Sequence, residues 1–248
     1  MRLSLVPMQQ PDRAAATGIA CSSAQLVDAG TVSAIQERYN HDGFVILRGY
    51  ASASEVEQLG CHAEGTVRRL AAASERAGHP PSDIRKNLQA DNPWLAEQLT
   101  SGVHVPLMRT LIGDELEPAT AAWFDRPPGS KTGIKPHIDG GGRGSGAVGA
   151  TIWIALDAAD RSNGCLHYSS GSHRMQHPDG IYIDGFDTET NAVPIEVEAG
   201  DAAIHSALTV HWSGTNPSRR PRRAVSFFYW GARSHAAFTA RMARKKAP

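Results

Sequence analysis

The hydrophobic texture of the chain changes at about residue 118. Upstream, apolar positions recur at helical spacing. In TVSAIQERYNH (31–41), Val32, Ile35 and Tyr39 fall on one helical face. GFVILRGY (43–50) is an apolar run between glycines and predicts a buried strand. Residues 51–78 predict a helix, with Ser54 as N-cap and Glu57 three residues on in a capping-box pattern. Residues 91–116 predict one or two short helices, broken before Pro106 and stopped at Gly113.

Downstream, short apolar runs alternate with Gly, Pro, Asn and Asp. PATAAWFDRPPG, GATIWIALD, GCLHYSSGSH, AVPIEVEAGDAAIH and RRAVSFFYW each fit a strand bounded by turns. That rhythm predicts a β-sandwich or jelly roll, so the fold class is mainly β with flanking helices. The chain divides into an irregular N-terminal arm (1–30) and a single domain (31–248). Helical support occupies 31–116 of that domain and the β core about 118–232. The basic tail RMARKKAP fits a solvated helix end.

Composition narrows the partners. The formal net charge is zero and charged residues make up 20%, so no polyanion is expected and nucleic-acid binding is excluded. The three cysteines, Cys21, Cys61 and Cys165, are odd in number and irregularly spaced. They form neither a disulfide framework nor a zinc ribbon, and reduced thiols point to a cytoplasmic protein. No run of about 18 apolar residues exists, so no membrane span is expected. The opening MRLSLVPMQQPDR has too short an apolar run for a secretory signal.

The chemistry begins at KPHIDGGGRGSG. In a strand, residues two apart share a face, so His137 and Asp139 could aim an imidazole and a carboxylate at one point. A non-haem Fe(II) site uses two histidines and one carboxylate on one side of the metal. An H-x-D alone equally fits two polar residues on an ordinary strand, and the third ligand must come from the other ten histidines. His41, His62 and His79 lie in the helical half as surface or loop residues, and His104 and His235 have unremarkable settings. His167, His173 and His177 cluster around one turn, and His205 and His211 sit in IHSALTVHWSGTN.

Four stretches in order carry a resemblance. They are YNHDGFVILRGYASASEVEQL, PHID, LDAADRSNGCLHYSSGSH and HWSGTNPSRRPRRAVSFFY, spanning about residues 35–230. The chain resembles the phytanoyl-CoA dioxygenase family of Fe(II)/2-oxoglutarate-dependent oxygenases. The resemblance implies a double-stranded β-helix (jelly-roll, cupin-like) core, with Fe(II), 2-oxoglutarate and O2 as cofactor and cosubstrates. It implies that His137, Asp139 and His211 are the metal ligands at the catalytic centre. It further implies that Arg222 and Ser213 hold the distal carboxylate of 2-oxoglutarate, with Thr151 a further contact. An arginine fork suits a carboxylate, and Arg222 and Arg223 alternate across a strand, so at most one points inward.

The implied reaction releases succinate and CO2 and hydroxylates a C–H bond of a small metabolite, either an amino acid or a natural-product intermediate. A carboxylate at 139 argues against the related halogenases, which carry a small residue there. Desaturation or cyclisation, a non-catalytic jelly-roll metal binder, and a zinc hydrolase are the alternatives. Substrate candidates are Lys135, Arg143, Trp153, Arg126 and Tyr229, with Arg85, Lys86, Asn87 and Trp123 nearby. The partner is a small molecule, with neither nucleic acid nor membrane, and the protein is expected as a monomer or homodimer. Two departures stand out. SSGSH replaces the family's PGSH, with Gly171 still supplying the turn, and GGGRGSG (140–146) follows the metal motif. That run lacks the ending of a phosphate loop and is expected to be a lid over the site or a plain connector. Cys165, His167 and His173 are expected to be structural.

Overall fold

The computed structural model describes residues 16–76, 82–143, 146–177 and 180–246. The first half of the N-terminal arm, His79, part of the glycine-rich run and the last two residues lie outside the described residues. The strands are β1 (Ile19–Ala20), β2 (Phe44–Arg48), β3 (Ile84–Arg85), β4 (Leu116–Arg126), β5 (Ile134–His137) and β6 (Gly149–Ala155). They continue with β7 (Leu166–Tyr168), β8 (Val193–Ile195), β9 (Ala202–Ser206), β10 (His211–Ser213) and β11 (Arg222–Gly231). The helices are α1 (Ala29–Asp42), α2 (Ala53–Arg76), α3 (Pro93–Ser101), α4 (Val105–Ile112) and α5 (Ala232–Lys246).

Two sheets face each other in a jelly roll. The larger runs β1-β2-β9-β6-β11-β4-β3 and the smaller β5-β10-β7-β8. Among the described strands only β1–β2 pairs parallel, and β1 lies within the segment expected to be irregular. The arm is ordered there because Arg48 donates to the carbonyls of Ala16 and Thr17 while the β1–β2 ladder forms.

Side-chain alternation sorts the larger sheet into two faces. Val45 and Leu47 of β2, Ile152 and Ile154 of β6, Ile204 of β9, and Val225 and Phe227 of β11 join one apolar cluster with α1–α4. Their neighbours Phe44, Ile46, Trp153, Ala203 and Ala224 pack instead against Leu166, Tyr168, Val193 and Ile195 of the smaller sheet. The helices therefore cover the outer face, and the space between the sheets is left for a site.

Helix boundaries follow local chemistry. Asp28 caps α1 by accepting from the Thr31 amide at 2.7 Å, an interaction worth about 1 kcal/mol. Gly43 closes the same helix at φ 82°, and a Cβ there would lie 2.6 Å from Thr209 Oγ1, so only glycine fits. The capping box of α2 begins two residues earlier than the sequence suggests. Ser52 accepts from the Glu55 amide and Glu55 accepts from the Ser52 amide, while Ser54 lies inside the helix. Gly171, at φ 74°, turns the SSGSH segment back onto α1, where Ser170 donates to the buried Asp42 and Arg174 donates to the Asn40 and His41 carbonyls.

His104 departs from its unremarkable sequence setting. It stands at the N-cap position of α4 with its side chain turned inward, is buried, pairs through Nε2 with the Tyr229 hydroxyl at 2.8 Å, and stacks on Phe227. Burial lowers its pKa from 6.5 to about 4. The folded chain therefore binds fewer protons than the unfolded chain between those values, and stability is full above pH 6.5 and is lost as pH falls toward 4. The whole effect is about 3 kcal/mol. In urea unfolding, His104→Leu should reduce the stability difference between pH 7.5 and pH 5 by about 2 kcal/mol, the rest belonging to the other buried histidines, while lowering stability at neutral pH. The neutral-pH loss follows because the Tyr229 hydroxyl is left without its partner.

Candidate metal centre

The site starts from one strand register. β10 pairs antiparallel with β5, and His211 lies directly opposite His137. Opposed residues of an antiparallel pair project to the same face, so the two imidazoles meet with ring centroids 4.0 Å apart. Each ring is oriented in the same way. His137 Nδ1 lies 2.9 Å from the Lys135 carbonyl and His211 Nδ1 lies 2.9 Å from the Thr209 carbonyl. Each Nδ1–H donates to a carbonyl two residues back, which leaves each Nε2 lone pair facing the site.

Asp139 completes the group. One ligand atom from each of His137, Asp139 and His211 falls within 4.8 Å of the others. Two neutral imidazoles and one carboxylate on one side, with open space beyond, suit a divalent transition metal. Electrostatics keep each ligand in its binding form. Burial lowers the His137 and His211 pKa values below 6.5, so both rings are neutral. Burial alone would raise the Asp139 pKa, but the hydrogen bond from His205 and the neighbouring imidazoles outweigh it and hold the carboxyl well below its usual range.

His205 was not singled out by the sequence, yet it belongs to this centre. Its Nε2 lies 3.2 Å from Asp139 Oδ2 and its Nδ1 lies 2.9 Å from the Tyr168 hydroxyl. The usable signal is alternation along β9. Ala203 and His205 share the inward face, whereas Ala202 and Ile204 face the helices. Thr151, expected to touch 2-oxoglutarate, lines the cavity but commits its hydroxyl to Asp139 Oδ2 at 2.9 Å.

A cavity of about 280 Å³ opens over the three ligands. Ile84, Phe124, Ile134, Trp153, Trp212 and Phe228 make it largely apolar, Lys86 is the one cation among its described lining residues, and Asp139 the one carboxylate. A wider outer cleft shares Ile84, Ile134 and Tyr182 with it and adds Asp83, Arg126, Lys135 and Asp184.

The inward rows of β4 and β11 run from the cavity to a pair of arginines. Ala122 and Phe124 lead to Arg126, Ser226 and Ala224 lead to Arg222, and the two arginines are cross-strand partners. Arg222 is only 2% exposed, and its Nε has no hydrogen-bond partner. Arg126 Nε and Ser213 Oγ are likewise buried without partners. Burial and the adjacent Arg126 lower the Arg222 pKa to about 10, so it stays charged at neutral pH. Arg223 points the other way, its fork closed on Asp157 with both bonds at 2.8 Å. A buried cation costs several kcal/mol unless an anion meets it. The orphaned donors at 126, 213 and 222 therefore fit the far carboxylate of a dicarboxylate reaching in from the metal.

Other expected contacts lie elsewhere. Tyr229 projects to the helix side of β11 and pairs with His104, because it stands an odd number of residues from inward-facing Arg222. Trp123 faces the helices for the same reason on β4. Arg143 is drawn away from the cavity and stacks over the Trp230 and Phe238 rings at 3.7 and 4.1 Å. Arg85 donates to Ser74 and Asn87 precedes a short 3-10 turn, which leaves Lys86 as the basic side chain of that segment at the cavity. The described part of the glycine-rich run does not line the cavity either. Arg241 and Ser234 of α5 donate to the Gly142 and Gly146 carbonyls, and a Cβ on Gly141 would lie 2.4 Å from the Gly180 carbonyl oxygen. The strap over the ligands is instead the Ile181–Ile183 segment, hydrogen-bonded to Pro136 and Ile138 on either side of His137.

Comparison with known proteins places these features. The family profile described as Phytanoyl-CoA dioxygenase (PhyH) matches residues 39–224. A 2-aminoethylphosphonate dioxygenase from an uncultured bacterium is 28% identical over 42% of this chain and 37% of its own length. The peroxisomal phytanoyl-CoA dioxygenase of Rattus norvegicus is 23% identical over 77% of this chain and 66% of its own. The chain thus spans less than two thirds of each of these two relatives. Among solved structures, the non-heme alpha ketoglutarate dependent epimerase SnoN from nogalamycin biosynthesis superposes with a TM-score of 0.67 at 23% identity, covering 83% of this chain and 85% of that one.

The geometry makes the metal centre directly testable. His137→Ala, Asp139→Ala and His211→Ala should each abolish micromolar binding of Co(II), read from its visible absorption. Tyr229→Phe, on the far side of the sheet, should leave that binding unchanged.

Proposed function

The chain belongs to the phytanoyl-CoA dioxygenase family, and from that premise we propose that it is an Fe(II)- and 2-oxoglutarate-dependent dioxygenase that hydroxylates a C–H bond of a small metabolite, releasing succinate and CO2. The observation that carries this reading is the buried, unpaired Arg222 at the end of the row that leads from the His137–Asp139–His211 group. A protein that only bound metal would gain nothing from that uncompensated charge. A zinc hydrolase using the same ligands would have no carboxylate to place there.

His137 Nε2, Asp139 and His211 Nε2 would hold the iron on one side. Arg222 and Ser213 would clamp the far carboxylate of 2-oxoglutarate with Arg126 Nε beside them, while Arg126 Nη1 lies 3.6 Å from Asp83 at the outer cleft, where the arginine stays a substrate candidate. Iron and 2-oxoglutarate, when bound, supply activation of O2 and the two-electron oxidation of the substrate. The chain's own work is placement and exclusion of water. Trp153, Phe124, Trp212 and Phe228 wall the reacting space, and Ile181 and Tyr182 cover it from the strap. With its one carboxylate committed to the metal group and Lys86 its one cation, the lining favours a compact apolar or anionic natural-product intermediate over an amino acid. Desaturation or ring closure would use the same apparatus, and product analysis separates them. Free Cys21, Cys61 and Cys165 support a cytoplasmic setting. Among the described residues no helix is long and apolar enough to cross a membrane. We take the functional unit to be a monomer or homodimer.

Succinate release and O2 consumption in the presence of Fe(II) and 2-oxoglutarate test the reading. Uncoupled turnover should be measurable without primary substrate and lost in Asp139→Ala. Arg222→Ala should raise the KM for 2-oxoglutarate by roughly 100-fold, the equivalent of about 3 kcal/mol for leaving a carboxylate without its partner. Failure of the wild-type protein to bind or consume 2-oxoglutarate would sink the proposal.

A further inference from the structure

Three imidazoles, not two, surround Asp139. His205 has its ring centroid 4.5 Å from that of His211 and its Nε2 within hydrogen-bond distance of Asp139. By proximity alone it is a candidate ligand. Its hydrogen bonds decide otherwise. If Nδ1 carried the proton, Nε2 would present a lone pair to the carboxylate, and the two would repel. With the proton on Nε2, the ring donates to Asp139 Oδ2 while Nδ1 accepts from the Tyr168 hydroxyl. Tyr168 and His205 are buried, so no solvent competes for these bonds.

Thr151 acts on the same oxygen. Its hydroxyl donates to Asp139 Oδ2 at 2.9 Å from β6, while His205 reaches it from the adjoining β9. Thr151 and His205 are cross-strand partners, so the pair forms a fork built into the larger sheet. Oδ2 thus receives two donors. Oδ1 receives none from these two residues and lies 3.9 Å from His211 Nε2.

We propose that His205, held by Tyr168, and Thr151 are positioning residues that occupy one oxygen of Asp139, so that the carboxylate offers only the other to the metal. A two-oxygen carboxylate would take up a further coordination position. Holding it to one oxygen keeps that position for cosubstrate, O2 or solvent. The inference rests on the metal-centre reading above, and the test separates the two.

Co(II) is the probe, with affinity from titration and coordination from the visible spectrum, alongside a thermal melt for folding. Thr151→Val replaces a hydroxyl by a methyl of similar size, and His205→Phe removes the second donor. Each should weaken Co(II) by roughly 10- to 100-fold and shift the visible bands as the carboxylate turns. His205→Gln keeps an N–H donor and should recover much of both signals. Tyr168→Phe should give a smaller change of the same kind. Wild-type affinity and spectrum in both Thr151→Val and His205→Phe would overturn the proposal. So would complete loss of Co(II) in His205→Phe with no recovery in His205→Gln, which would make His205 a ligand. If His205→Phe does not fold, Thr151→Val decides alone. Retention of Co(II) by His211→Ala would instead strike the metal-centre reading itself.

Discussion

The opposition of His137 and His211 across the β5–β10 pair is the constraint on which the centre depends. A metal site needs its ligands held to within a fraction of an ångström, and a strand register does this without relying on long flexible side chains. A slip of one residue would turn one imidazole to the opposite face. The chain defends this register at several points. The strap hydrogen-bonds to both sides of His137, and Ser130 and Asn216 pair beyond the far end of the two strands. Asn216 is fully buried and donates to the Arg126 and Arg220 carbonyls, tying the turn after β10 to the end of β4. The metal-bearing strands and the arginine-bearing strand are therefore positioned by one shared turn.

Buried polarity in this protein comes in two kinds. Around Asp139 it is saturated, because each Nδ1, hydroxyl and carboxylate oxygen described above has a partner or faces the metal position. Around Arg222 it is open, with Arg126 Nε, Ser213 Oγ and Arg222 Nε left without acceptors, although Arg126 Nη1 pairs with Asp83. Saturated networks fix geometry, whereas orphaned donors mark a place for a ligand. The two kinds adjoin along the inward rows of the sheet. That adjacency is what an elongated, doubly charged cosubstrate requires, with one end on the metal and the other on the guanidinium.

Much of this was legible in the sequence. H-x-D is a local motif, and the offsets from His211 to Ser213 and Arg222 are short enough to survive as a pattern. The alternation of apolar runs disclosed the jelly roll, the spacing of Val32, Ile35 and Tyr39 disclosed α1, and Gly113 marked the end of α4. The two misplaced aromatics fall under one rule. Once Arg222 is assigned to the interior, parity along β11 sends Tyr229 to the opposite face, and parity from Arg126 does the same to Trp123. Neither step was taken when those aromatics were read as substrate contacts. His205 was passed over because a single histidine in AAIHS carries no motif. Its meaning comes from Thr151 and Tyr168, which are distant in sequence. Arg143 was misplaced because its aromatic partners lie near the far end of the chain, beyond the reach of any local pattern.

Substrate choice is set by the apolar walls of the cavity and by the segments at its rim. Positions on β6, β9, β10 and β11 facing the site hold the metal ligands, their supports and the anion cradle, with Trp153, Trp212, Ser226 and Phe228 as cavity wall, and the opposite face of the larger sheet is committed to the helix-facing core. The ligands and their supports cannot change without disturbing the metal centre, whereas the wall residues can change the shape of the cavity. The segments free to vary are those that join the cavity from its rim. Lys86 and Ile84 come from the short edge segment before α3, and Ile181 and Tyr182 come from the strap. Ile181 and Tyr182 are exposed apolar side chains at 51% and 59%, an unfavourable placement unless something covers them. They stand where the inner cavity meets the outer cleft. A bound substrate would bury both, so the apolar surface left open at the mouth is itself an argument that the occupant presents an apolar face there.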